Sequence, residues 1–241
     1  LGTVLDPELD EPIVPRGAEV PDIRFPSIRD SYVEPHYQVT AHGPDARISD
    51  EHWWDTLPVQ SDLDLRLATY LSTPDATRQP LLLLGHPGAG KSLLTKILAA
   101  RLPDTGYTAV HVPLRHVTAD APIYRQVQEA LDRVTHGRVD WYALTDQSEG
   151  TLRVILLDGL DELLQASGHN RSGFLHDVME FQRREAEQLR PVAVVVTSRS
   201  VVADRVDVMP GTTVVKLADF TEDQVERWRE TWNRTNAAGI A

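Results

Sequence analysis

The sequence predicts an α/β domain: a doubly wound parallel sheet of five strands with helices on both faces. Three observations predict it. Short uninterrupted apolar runs recur from residue 81 onward, as expected of strands buried on both faces. Stretches with helical apolar spacing separate them. Strands alternating with helices over this length imply βαβ units, whose crossovers keep the strands parallel.

The elements follow in order. Residues 1 to about 30 carry Pro7, Pro12, Pro15, Pro21 and Pro26 among acidic residues, which forbids a continuous helix and predicts an extended arm or linker through residue 60. Leu63, Leu65, Leu67, Ala68 and Leu71 fit a short helix with one buried face. Leu81 to Leu84 form the first parallel strand, ended by glycine, and an amphipathic helix over 93–102 stops at Pro103. Next come a strand at 108–112, a helix near 122–135, a strand at 154–157 and a long helix near 173–189. Strands at 192–196 and 213–215 complete the five. Thr221 and Gln224 form a capping box that opens a last helix, their side chains satisfying free backbone donors. The expected division is an arm at 1–60, a domain at 61–236 and a truncated tail at 237–241. A chain starting at leucine reads as a piece of something longer.

Composition narrows the function. The chain has 241 residues, no cysteine and a net charge of −12. Disulfides and thiolate metal sites are excluded, and a reducing, cytoplasmic compartment is the simplest expectation. The acidic field repels nucleic acid and anionic lipid, and no Lys/Arg run offsets it, so no direct nucleic-acid contact is expected. No stretch of about 18 apolar residues could span a membrane. His36, His111, His116, His169 and His176 lack metal-site spacing and read as ordinary core or surface residues.

The chemistry centres on Gly85-His86-Pro87-Gly88-Ala89-Gly90-Lys91-Ser92, which matches G-x-x-x-x-G-K-[ST] between a strand and a helix. Phosphate oxygens are met by a ring of backbone N–H groups, and glycine lets the chain curl that tightly. The helix beyond, with Leu93 in its first turn, points its positive dipole end at the anion. Lys91 supplies a cation to the β and γ phosphates, and the Ser92 hydroxyl is a magnesium ligand. The expected ligands are ATP or ADP with Mg2+.

The strand at 154–157 closes on Asp158, and ligands of parallel sheets sit beyond the strands' carboxyl ends. Asp158 is therefore the second magnesium residue. Gly159-Leu160-Asp161-Glu162 follows, where Glu162 or Asp161 can accept a proton from an attacking water, Glu162 being preferred. Either acid could instead serve only the dipole of the following helix. The next strand ends in Thr197-Ser198-Arg199, where Arg199 can read the γ-phosphate or pair at the surface with Asp204 or Asp207.

Together the phosphate loop, Asp158-Gly159-Leu160-Asp161-Glu162 and Thr197-Ser198-Arg199 resemble the NACHT ATPases of the STAND class, over roughly residues 62–236. In that family a small residue separates the first aspartate from an apolar residue and an Asp-Glu pair, whereas in AAA+ proteins glutamate follows directly. Phe220, Trp228 and Trp232 suit the helix after the last core strand. The resemblance implies an ASCE-type P-loop fold, adenine rather than guanine, and a switch. ADP holds a closed monomer, ATP permits oligomerisation, and effector and sensor domains lie on the same longer chain, in bacteria often for defence against phage. It gives Asp158 the magnesium role, Glu162 with Asp161 the hydrolytic role and Arg199 the sensor role, with Tyr32 and Val33 near the base. The winged-helix domain that follows in the family is not expected within these 241 residues. Two alternatives stand beside this reading: a non-catalytic docking module holding structural nucleotide, and an AAA+-type remodeller, for which no aromatic-glycine pore segment is present.

Overall fold

A computed structural model describes residues 9–14, 23–148, 150–167 and 171–237. Pro7, Pro15, Pro21, His169 and residues 238–241 lie outside these.

Along the chain run α1 (Ile28–Ser31), β1 (Tyr37–Ala41), α2 (Glu51–Trp54), α3 (Leu63–Leu71), β2 (Leu81–Leu84), α4 (Lys91–Arg101), β3 (Tyr107–Pro113) and α5 (Ile123–Thr135). They are followed by α6 (Trp141–Gln147), β4 (Leu152–Asp158), α7 (Leu160–Ala166), α8 (Phe174–Glu187), β5 (Val192–Ser198), β6 (Thr213–Leu217) and α9 (Glu222–Asn236). The sheet order is β1-β6-β2-β5-β4-β3. Each of the five predicted strands is present, and they pair with one another in parallel.

Alternate residues of each strand feed opposite cores. Leu82, Leu84, Ile155, Leu157, Val194 and Val196 point to one face, packed under α5, α6, α7 and α8. Leu81, Leu83, Val154, Leu156, Ala193 and Val195 point to the other, under α3 and α4. Burial on both faces is why the runs are uninterrupted rather than alternating. It is also why a polar strand residue stands out.

The sheet has six strands where five were expected. Tyr37–Ala41 pairs antiparallel with β6, Tyr37 opposite Leu217 and Ala41 opposite Thr213. The expectation of an extended arm over 1–60 therefore gives way for much of that segment. Trp54 is fully buried, and its indole Nε1 donates to the Ile48 carbonyl at 2.9 Å. Gln38 on β1 donates to the carbonyls of Trp54 and Leu57, fastening this strand to α2. Further upstream, the Arg24 backbone exchanges two hydrogen bonds with the Asn236 side chain on α9. These are long-range contacts, which local proline spacing does not report.

The final helix starts as predicted. Thr221 accepts from the Gln224 backbone and Gln224 accepts from the Thr221 backbone, a complete capping box. Gln224 is fully buried because its Nε2 also donates to the Glu34 carbonyl at 2.7 Å. One side chain thus caps α9 and holds residues 32–35 against it.

Candidate functional site

Strand register decides which side chains meet. Leu84 lies opposite both Ser198 and Lys216, and Pro113 lies opposite Asp158. The carboxyl ends of β2, β3, β4, β5 and β6 therefore reach one rim of the sheet, where parallel α/β folds bind ligands.

Residues 85–90 leave β2 at that rim. Gly88 and Gly90 have φ of 81° and 85°, the left-handed conformation that disfavours any Cβ. Gly85 is needed for space instead, since a Cβ there would lie 3.2 Å from that of Ala89. No side chain caps the first turn of α4, which leaves its N–H donors turned to the loop. Lys91 curls over the loop and donates to the carbonyls of Gly85 and His86 at 2.8 and 2.9 Å. Burial lowers its pKa, opposed by the carboxylates of Asp161 and Asp158.

Two clefts flank the loop. A polar cleft of ≈ 290 Å³ lies between Gly88, Gly90, Lys91 and Ser92 on one side and Asp158, Asp161, Glu162 and Arg199 on the other. A larger cleft, ≈ 470 Å³, is bounded by His86, Pro87, Ala89 and Leu93 of the loop region together with Tyr32, Val33, Phe220 and Trp228. The first suits a polyphosphate and the second a flat, partly apolar group. Every predicted loop residue except Gly85 lines one cleft or both, and Gly85 lies beneath.

Asp158 is nearly buried, and its Oδ1 accepts from Thr197 at 2.7 Å. Burial alone would raise its pKa, but the neighbouring His111, Thr197 and Ser92 side chains hold it below the usual carboxylate value. An ionised carboxylate next to a serine hydroxyl is an oxygen donor set that fits Mg2+, which takes few protein ligands and completes its shell with water and phosphate. Among the described residues no group of three or more His, Cys, Asp or Glu could hold a metal ion.

Beyond Asp158 the chain turns sharply at Gly159, φ 91°, whose N–H donates to Thr197 Oγ1 at 2.9 Å. A Cβ at Gly159 would sit 3.3 Å from Glu162 Oε2, so glycine also makes room for that carboxylate. The two acids then separate in role. Asp161 is buried and accepts from Arg199 Nε at 2.8 Å, while Glu162 is partly exposed in the cleft. Arg199 thus pairs with Asp161 rather than with Asp204 or Asp207.

Sequence reasoning missed several participants. His111 on β3 places Nε2 3.7 Å from Asp158 and 3.3 Å from Thr95 Oγ1. Its signal was a polar residue inside an otherwise apolar strand. Glu51 was also missed: it pairs with Lys216, a buried residue at the end of β6, and lies 3.2 Å from His86 Nε2 of the loop. Burial would raise the Glu51 pKa, but Lys216 and His86 bring it below the usual value. A depressed folded pKa stabilises above the unfolded value, about 4.3, and the contribution disappears as pH falls through the folded value. Glu51→Ala, which leaves the Lys216 ammonium uncompensated, is expected to cost about 2 kcal/mol at pH 7. Thermal melts should show the gap from wild type closing below about pH 4. An equal gap at pH 7 and pH 3 would contradict this pairing.

Against known families, residues 75–203 match the AAA domain model, which is more than half of the chain. No curated protein matches the sequence. Among solved structures, the Aeropyrum pernix ORC2 protein, described in ADPNP-ADP complexes, is 12% identical with a TM-score of 0.43, covering 80% of this chain and 56% of its own. C. elegans PCH-2 is 19% identical with a TM-score of 0.35, covering 65% of this chain and 40% of its own. The chain thus spans about half the length of these structures. Among the described residues no helix is long and apolar enough to cross a membrane. The matched segment contains the whole phosphate loop, Asp158, Asp161, Glu162 and Arg199, and the chain belongs to the AAA domain family of P-loop nucleotide-binding proteins.

Proposed function

We propose that this domain binds ATP with magnesium, hydrolyses it slowly, and acts as a nucleotide-dependent switch of the NACHT type in a longer cytoplasmic protein. The observation that carries the reading is the single polar cleft shared by Lys91, Ser92, Asp158, Glu162 and Arg199. Lys91 exchanges its two loop carbonyls for phosphate oxygens, a stronger charge-assisted contact. Ser92 and Asp158 would hold the magnesium, which when bound neutralises charge on the β and γ phosphate oxygens. Glu162 takes the proton of the water that attacks the γ-phosphorus, and the bond to the bridging oxygen breaks with its electron pair leaving on ADP. Arg199, held by Asp161, lies where it can stabilise the charge of that transition state.

The NACHT subclass is supported by Gly159 standing between Asp158 and the Asp161-Glu162 pair, and by the separation of those two acids. In this reading ATP promotes self-association, effector and sensor domains accompany the switch on the same chain, and bacterial antiphage defence is the setting. The base sits by Tyr32, Val33 and Trp228, with adenine expected.

Lys91→Ala is expected to weaken ATP binding at least about tenfold, from the loss of a charge-assisted contact. Titration calorimetry giving wild-type affinity would overturn nucleotide binding at this loop. For the switch, light scattering of the full-length protein should give a larger particle with ATP than with ADP. Equal masses would sink the switch and leave nucleotide binding standing.

A further inference from the structure

A third cleft, ≈ 380 Å³, opens along β3 and shares Ser92 and Asp158 with the polar cleft at the phosphate loop. Its walls carry Lys96 from α4, Arg115 and His116 from the turn after β3, and Arg133 from α5. In a chain of net charge −12, this gathering of cationic groups needs a cause.

The two arginines are held without any acid. Arg115 Nε donates to the His116 ring at 3.1 Å, and Arg133 Nη2 donates to the His116 carbonyl at 3.0 Å. Among the described residues no ion pair engages Lys96, Arg115 or Arg133, whereas Arg183, Arg184, Arg190 and Arg199 each have a carboxylate. Asp158, the one acid lining this cleft, is engaged by Thr197 and faces His111. The His116 imidazole registers the local field: burial lowers its pKa, and both arginines lower it further, against only Glu162. Bringing two guanidiniums around one histidine costs electrostatic energy, and an anion between them would recover it.

We propose that this cleft is a second anion site for a phosphate group, adjoining the nucleotide cleft but built from cationic side chains that do not line it. Arg115 and Arg133 form its fork, since guanidinium geometry matches phosphate oxygens in pairs, and Lys96 adds a point charge. The phosphate can arrive as a free anion or as part of an ester; the recognition chemistry is the same.

The test uses the K91A variant, in which anion binding at the loop is weakened, with inorganic phosphate and AMP titrated separately and followed by 31P NMR. Saturable phosphate binding is expected, weakened at least about tenfold by adding R115Q/R133Q. Phosphate binding without AMP binding would mean a free anion, and binding of both would mean that esters are accepted; either supports the site. No saturable phosphate binding in K91A, or binding unaffected by R115Q/R133Q, overturns it. Both arginines are exposed, so the double variant should melt like its parent; should it fail to fold, K96Q provides the same comparison. In a protein with its loop intact, R115Q/R133Q should leave ATP affinity unchanged, which separates this site from the nucleotide reading.

Discussion

Glu162→Gln should retain ATP affinity yet release phosphate about 10²- to 10⁴-fold more slowly. The amide keeps the size of the side chain beside Gly159 but cannot accept the proton of an attacking water. Asp161 is a poor substitute because it is buried against Arg199 and its carboxylate is already used. Asp161→Asn should accordingly act differently, loosening Arg199 without removing the base. Magnesium-dependent phosphate release measured across the three proteins separates the roles. Turnover unchanged in Glu162→Gln would favour a docking module in which nucleotide is structural, and the hydrolytic assignment would fail.

The second large effect is one of stability. Trp54→Ala is expected to cost about 3–5 kcal/mol, the range for removing a fully buried large aromatic. Trp54 has no exposed surface, stands edge-on to Trp53 at 5.1 Å, and lies 5.8 Å from the Lys216 ammonium. For a domain of this size the melting temperature should fall by about 10 °C or more. Nucleotide affinity should fall as well, because α2 carries the Glu51 that meets His86. A shift of only a degree or two would show that residues 48–57 are an accessory to the domain rather than part of it.

What the sequence made legible was local. The phosphate loop and the β4 and β5 strand-end residues are contiguous patterns, and strand-end placement brought them to one rim. The capping box at Thr221 was legible for the same reason. Contacts set by tertiary register were not. His111 meets Asp158 only because β3 and β4 pair so that Pro113 lies opposite Asp158. The division of labour between Asp161 and Glu162 depends on where Arg199 emerges from a strand almost forty residues later, by chain numbering. β1 was hidden for two reasons. Its residues, Tyr37-Gln38-Val39-Thr40-Ala41, include buried Gln38, which breaks an apolar reading, and its partner lies at the other end of the chain. Nearby prolines then favoured an arm. Lys216, beyond the strand expected at 213–215, carried no local signal of the carboxylate that α2 supplies.

The antiparallel strand bears on how the domain avoids sticking to itself. β1 covers the row of hydrogen-bonding groups that β6 would otherwise offer, and its own flank is closed at Tyr37, which exchanges two backbone bonds with Gln60. A chain cut back to residue 61 would keep the nucleotide loop and still present a bare, self-templating ribbon to its copies, the usual starting point for strand-by-strand polymerisation.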